Sequence, residues 1–190
     1  MLLLSEREVE ELLDPEGCRE AMAGALASLA RGEVHQPLRF VVRPPGDSSF
    51  IGLMPVHRGG ADPVYSLKTV CIFPDNPARG LDAHQGVVCL FDGETGEVRA
   101  LMNASPVTAV RTAAVTAVAT EALAREDARE LAVVGAGVQA RSHLRALGEF
   151  GFERVRVASR TPEHAQALAR ETGAEPCAGV EEAVRGADVV

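Results

Sequence analysis

The chain has 190 residues, 46% hydrophobic and 24% charged, the balance of an ordinary globular protein of one large or two small domains. A net charge of -8, a single Tyr and no Trp offer neither a basic footprint nor a stacking platform for nucleic acid. No apolar run reaches membrane-spanning length, MLLL is too short and uncharged for a signal peptide, and Cys18, Cys71, Cys89 and Cys177 have no CxxC spacing. The reading is a cytoplasmic protein with reduced thiols and neither nucleic-acid nor membrane partners.

In chain order, Ser5-Glu6-Arg7-Glu8 predicts a capping box and a helix to about Leu13. Asp14-Pro15 opens a second helix, its apolar stripe running from Cys18 to Leu29, that stops near Gly32. Both helices are expected to cover a sheet. Strands are predicted over Leu38–Arg43, Phe50–Val56 and Tyr65–Phe73, followed by a turn-rich loop from Pro74 to Ala83. Gly86–Phe91 and Glu97–Met102 form a hairpin. Strands in meander order indicate an α+β domain.

Of the 19 Lys and Arg residues only Lys68 is lysine, and it lies in the apolar run Ser66–Phe73. Lysine can lose its proton when desolvated and act as a base, which arginine cannot. The alternative is a cation on the polar face of an edge strand. Ser105-Pro106 opens a helix of Ala, Val and Thr to about Leu123, whose only charge before Glu121 is Arg111. Arg111 is either an ion-pair partner or an anion contact.

Leu131–Ala140 reads LAVVGAGVQA, a strand, a glycine turn and the start of a helix. That is the setting the dinucleotide fingerprint requires. Gly135 permits the tight turn, Gly137 lets a pyrophosphate approach the backbone, and Ala140 keeps the helix near the strand. The helix N-terminus then presents free N–H groups to phosphate. A second strand, Arg154–Ala158, ends on Ser159-Arg160-Thr161. An NAD-type site would have a carboxylate there for the ribose hydroxyl; two hydroxyls and a guanidinium suit a 2′-phosphate. NADP(H) is therefore expected over NAD(H). A helix from Pro162 to Glu171, a short strand at Pro176-Cys177, a short helix over Glu181–Arg185 and a strand beginning at Ala187 follow. A doubly wound domain needs more strands than these, so the sequence reads as cut off in mid-domain. His35, His57 and His143 share no ligand spacing, and no metal site is expected.

QPLRFVVRP (Gln36–Pro44), LKTV (Leu67–Val70), HQG (His84–Gly86), VTAVRTAA (Val107–Ala114) and VVGAGVQA (Val133–Ala140) together resemble the ornithine cyclodeaminase/mu-crystallin family over essentially the whole chain. The resemblance implies an α/β protein. Residues 1–125 would be an α+β substrate-binding domain that dimerises by joining sheets, and 126–190 an incomplete Rossmann domain. It implies that Arg39, Lys68 and Arg111 hold a substrate carboxylate and that Lys68 also transfers a proton. His84, Arg111 and Thr112 would approach the cofactor, with Val138 and Gln139 after the glycine turn. Ser159, Arg160, Thr161 and His164 would take the adenosine phosphate, as in the NADPH-binding branch.

The implied chemistry is hydride transfer at the amino- or imino-bearing carbon of a small amino acid, as dehydrogenase, cyclodeaminase (a lyase) or ketimine reductase. The alternatives are a cofactor-dependent small-ligand-binding protein and an inactive truncated fragment. Two departures stand out. The family's catalytic Asp would fall beyond Val190, and Ala83 replaces the hydroxyl residue often found before the HQG histidine.

Overall fold

A computed structural model describes all 190 residues. Their contacts divide them into two compact units, one of Met1–Asp14 and Gly24–Thr108, the other of Pro15–Ala23 and Ala109–Val190. The division falls within a helix, 17 residues before the boundary drawn from sequence at Arg125. The small side chains of that helix pack with the residues that follow it: Ala117 shares a core cluster with Leu131 and Leu147.

The first part of the chain runs β1 (Leu2–Leu4), α1 (Glu6–Leu12), α2 (Pro15–Ala30), β2 (Val34–His35), β3 (Phe40–Val42), β4 (Phe50–Arg58), β5 (Val64–Ile72), β6 (His84–Asp92) and β7 (Val98–Asn103). The capping box forms: the Glu8 amide donates to Ser5 Oγ, and Glu8 Oε2 accepts from the Ser5 amide at 2.8 Å. One sheet holds the strands in the order β1-β7-β6-β5-β4-β2, with β3 also on β4. All pairs are antiparallel except β1 with β7. The meander is the one expected, but β1 arises from the opening leucines, to which no element was assigned. The expectation that both helices cover a sheet fails for α2, which buries no residue and leaves Leu26 and Leu29 exposed.

Strand alternation sorts the sheet into two faces. Leu4, Met102, Val88, Lys68 and Met54 lie in one row on the first face. The second face carries Phe40, Val42, Leu53, Leu67, Cys89 and Leu101, none of them buried; Phe40 and Val42 are each 59% exposed. Gly86 needs its missing side chain for packing within the sheet. A Cβ there would sit 2.3 Å from the Thr69 carbonyl oxygen of β5. The backbone of the neighbouring strand therefore takes the space a side chain at Gly86 would fill.

The chain continues with α3 (Ala104–Leu123), β8 (Glu130–Val134), α4 (Val138–Leu147), β9 (Arg154–Ala158), α5 (Pro162–Thr172), β10 (Glu175–Pro176) and α6 (Val180–Val184). The third short strand lies one residue earlier than expected; the Cys177 amide still donates to the Val157 carbonyl at 2.8 Å. The strands are parallel in the order β10-β9-β8, and Val189 bridges Leu131 on the other side of β8. By first appearance this order is 3-2-1-4, the start of a doubly wound sheet. Ala140, Val157, Ala165 and Leu168 form the core on one side; Ala158, Cys177 and Ala183 form that on the other. Burial pushes the Cys177 thiol pKa up.

Two side chains lock this second sheet. Asp188 accepts the backbone N–H groups of Arg129 and Glu130, at 2.7 and 2.9 Å, and pairs with Arg125. Those amides, with Arg125, hold its carboxyl below the usual carboxylate range. Arg156, only 5% exposed, pairs with Glu130 and donates to the carbonyls of Glu182 and Arg185 at 3.1 and 2.8 Å. No helix is long and apolar enough to cross a membrane.

Candidate functional site

In the first unit, β5 places Lys68 half-buried on the first face, with Met54 and Val88 as its cross-strand neighbours. Lys68 Nζ donates to Thr108 Oγ1 at 3.3 Å, so this face receives the first two turns of α3. Arg39 stands directly before β3, whose Phe40 pairs with Leu53; continuing that register by one residue sets Arg39 opposite Met54. Arg39 itself is exposed and lies just outside the strand; on that extension it would share the row and face of Lys68, about 10 Å away in backbone, or two strand spacings. Two long cations so placed can close on one carboxylate.

His84 begins β6 on the same face, paired with Ile72. Its amide donates to Asp82 Oδ1 at 3.1 Å and its carbonyl accepts from Ser105 Oγ at 3.0 Å. The first two turns of α3 therefore bond to both Lys68 and His84. Arg111 and Thr112, further along α3, are half-buried.

In the second unit, β8 ends at Val134 and the chain turns through Gly135, whose φ of +120° a side chain would strain. The Gly135 amide donates to the Ala158 carbonyl at 2.8 Å, tying the turn to the end of β9. Gly137 is the N-cap of α4, and no side chain caps it. A Cβ at Gly135 or Gly137 would meet nothing within 4 Å, so the space above the turn is open. Ala140 is buried against Val157, which holds α4 close to the sheet. Uncapped amides, an open approach and a close-set helix fit a dinucleotide pyrophosphate. A cavity of about 420 Å³ adjoins, lined by Thr116, Val134, Gly135, Gly137, Gln139 and His143 among others.

Beyond β9, Ser159 and Thr161 are half-buried while Arg160 and His164 are exposed. Thr161 occupies the N-cap position of α5 ahead of Pro162, and its side chain makes no capping hydrogen bond. Glu163, the nearest carboxylate in sequence, lies exposed in the first turn of α5. Among the residues of the chain there is no group of three or more His, Cys, Asp or Glu that could hold a metal ion.

Two residues not singled out from sequence contact this machinery. Thr108 meets Lys68. His143 meets Thr116 Oγ1 through Nε2 at 3.0 Å and the Gln139 carbonyl through Nδ1 at 2.7 Å. A carbonyl can only accept, so Nδ1 carries the proton; the single proton of Thr116 Oγ1 serves either Nε2 of a neutral ring or the Thr112 carbonyl, 3.3 Å away. His143 so ties the first turn of α4 to α3. The available signal was spacing: Thr108, Thr112, Thr116 and Thr120 recur every four residues, a single polar stripe on an apolar helix.

The chain matches the ornithine cyclodeaminase/mu-crystallin family over residues 1–190. It is 37% identical to ketimine reductase mu-crystallin of Rattus norvegicus over 175 residues, 89% of this chain and 56% of that protein. The structure of Thermococcus litoralis Δ1-pyrroline-2-carboxylate reductase in complex with NADH and L-proline superposes with a TM-score of 0.90 at 31% identity. That match covers 100% of this chain and 61% of the other. An archaeal alanine dehydrogenase dimer with bound NAD gives 0.84 at 27% identity, covering 100% and 55%. The chain thus spans little more than half the length of these relatives.

Proposed function

The chain belongs to the ornithine cyclodeaminase/mu-crystallin family, and from that premise we propose that it forms the substrate and cofactor half of an NADP(H)-dependent reductase of small cyclic imino acids. The observation that carries this reading is the joint presence of the cation row Arg39 and Lys68 and the open glycine turn at Gly135 and Gly137. The relatives are named for imine reduction, and one is seen with L-proline and NADH.

Bound reduced nicotinamide would supply a hydride to the carbon of the C=N bond. The chain's own residues do the rest. Arg39 and Lys68 would hold the carboxylate, which fixes the imine carbon in one orientation, and the family resemblance adds Arg111 to that set. Lys68, as ammonium, gives a proton to the imine nitrogen as the carbon is reduced, and the amine product results. His84, Arg111 and Thr112 would face the cofactor; Val138 and Gln139 would present their amides to its pyrophosphate. Consumption of NADPH on addition of Δ1-pyrroline-2-carboxylate, with proline formed in equal amount, tests the reaction. Cofactor-dependent binding of that acid without turnover would instead favour a ligand-binding protein.

NADP(H) preference is part of the proposal, supported by the exposed Arg160 and the hydroxyls of Ser159 and Thr161, with His164 close in sequence. Charge-assisted hydrogen bonds of about 1.5–3 kcal/mol each translate to roughly 10–100-fold in affinity. Arg160→Ala is therefore expected to weaken NADPH binding about 10–100-fold and leave NADH binding within about threefold. Calorimetric titration of both nucleotides decides it; tighter binding of NADH by the unaltered chain overturns the preference.

A homodimer belongs to the same proposal. The second face of the first sheet is apolar and bare, with Phe40, Val42, Tyr65 and Val87 all more than 40% exposed. Such a face marks an association surface. Sedimentation velocity should give a dimer, and Val42→Lys should give a monomer with unchanged circular dichroism. A monomer before substitution would remove this part.

A further inference from the structure

We infer that Thr108 is a positioning residue for Lys68, fixing the direction in which the amine presents its remaining hydrogens and its lone pair; this rests on the reading of Lys68 as the proton-transferring group. The argument is one of hydrogen-bond bookkeeping. A threonine hydroxyl has one proton, and that of Thr108 points at the Ala104 carbonyl, which can only accept, at 2.7 Å. The oxygen is left as an acceptor towards Lys68 Nζ at 3.3 Å. Lysine must therefore be the donor in this contact, whether it is an ammonium or a neutral amine.

The platform is rigid. Ala104 and Pro106 are buried, the Ser105 amide donates to Asn103 Oδ1 at 2.8 Å, and Ser105 Oγ donates to the His84 carbonyl. Across the strands, the register neighbours of Lys68 are Met54 and Val88. With one N–H held by Thr108, the amine swings less, and its other positions keep a constant direction. An ammonium donates more strongly than a neutral amine, so this contact by itself favours the form that can give a proton to an imine nitrogen.

The composition makes this measurable without turnover, since Lys68 is the only lysine. Limiting acetic anhydride acylates amines only in their neutral form, and after hydroxylamine has removed thiol and phenol esters the stable amides lie at Lys68 and at the N-terminus, which serves as internal reference. Peptide mass spectrometry reads the ratio across pH. Thr108→Val keeps the shape and loses the acceptor; it is expected to raise Lys68 labelling about fivefold near neutral pH and to move the labelling curve to lower pH. Thr108→Ser keeps the hydroxyl and should restore the original curve. Thr108→Ala repeats the comparison if the valine variant fails to fold. A valine variant that labels like the unaltered chain, or a serine variant that labels like valine, overturns the inference. Protection of Lys68 by L-proline with NADP+ in the unaltered chain tests the functional reading separately: its absence would count against that reading, while the Val/Ser comparison still decides Thr108.

Discussion

Replacing Arg156 by Met should cost the second unit about 3 kcal/mol, read as a lower urea midpoint by circular dichroism and faster hydrogen exchange in α6. Arg156 lies within the sheet, its side chain 6% exposed, and makes three charge-assisted contacts: with Glu130 at 2.5 Å and with the carbonyls of Glu182 and Arg185. Each is worth about 1.5 kcal/mol or more. Against them stands the buried Nε of Arg156, which has no partner in the structure; removing it relieves a desolvation cost of about 1–3 kcal/mol. The balance stays unfavourable because the substitution also strands the carbonyls at the end of α6. Glu130 is 35% exposed and can turn to water, so Glu130→Gln should cost under about 1 kcal/mol. Equal losses from the two variants would show that the carbonyl contacts contribute nothing.

The largest functional effect is expected at Lys68. On the proposed reading, Lys68→Met would remove both a carboxylate contact and the proton donor, and kcat/KM for Δ1-pyrroline-2-carboxylate should fall by at least about 10³-fold, since a positioned acid–base group contributes roughly 10²–10⁴. Lys68→Arg separates the two roles. It restores the charge, so KM should recover most of the way. Kcat should remain depressed by about 10²-fold or more, because a guanidinium does not release its proton. A Lys68→Arg variant with undiminished kcat would leave lysine a binding role only.

Much of the architecture was legible because local signals and tertiary demands agree. The strand, glycine turn and helix at Leu131–Leu147 fall where the apolar run, Gly135, Gly137 and Ala140 put them. Lys68 stood out by composition alone. What escaped depends on partners distant in sequence. Leu2–Leu4 becomes a strand only by pairing with Ala100–Met102, and three leucines carry no period of their own. Arg154-Val155-Arg156-Val157 alternates like a strand with one wet face, yet a parallel sheet is covered on both, and α6 buries Arg156. Conversely, the stripe of α2 has the helical period of a buried face, yet none of its residues is fully buried and Leu26 and Leu29 stay exposed. Thr108 was illegible as a site residue because nothing in the sequence says which strand the first two turns of α3 dock upon.

The Asp188 latch has a consequence for how the chain is made. It joins residues 58 and 59 positions apart, and the partners of Asp188 are the first amides of β8. On the ribosome, β8 emerges well before the residue that satisfies it. At about 5–20 residues per second, Leu131 waits about 3–12 seconds for Val189, the residue that bridges it, to arrive. For that interval a short apolar strand is bare on one side, a template for pairing with other nascent chains. The vulnerable moment in the synthesis of this protein thus precedes the arrival of Asp188, and a chaperone that holds exposed apolar strands would act there.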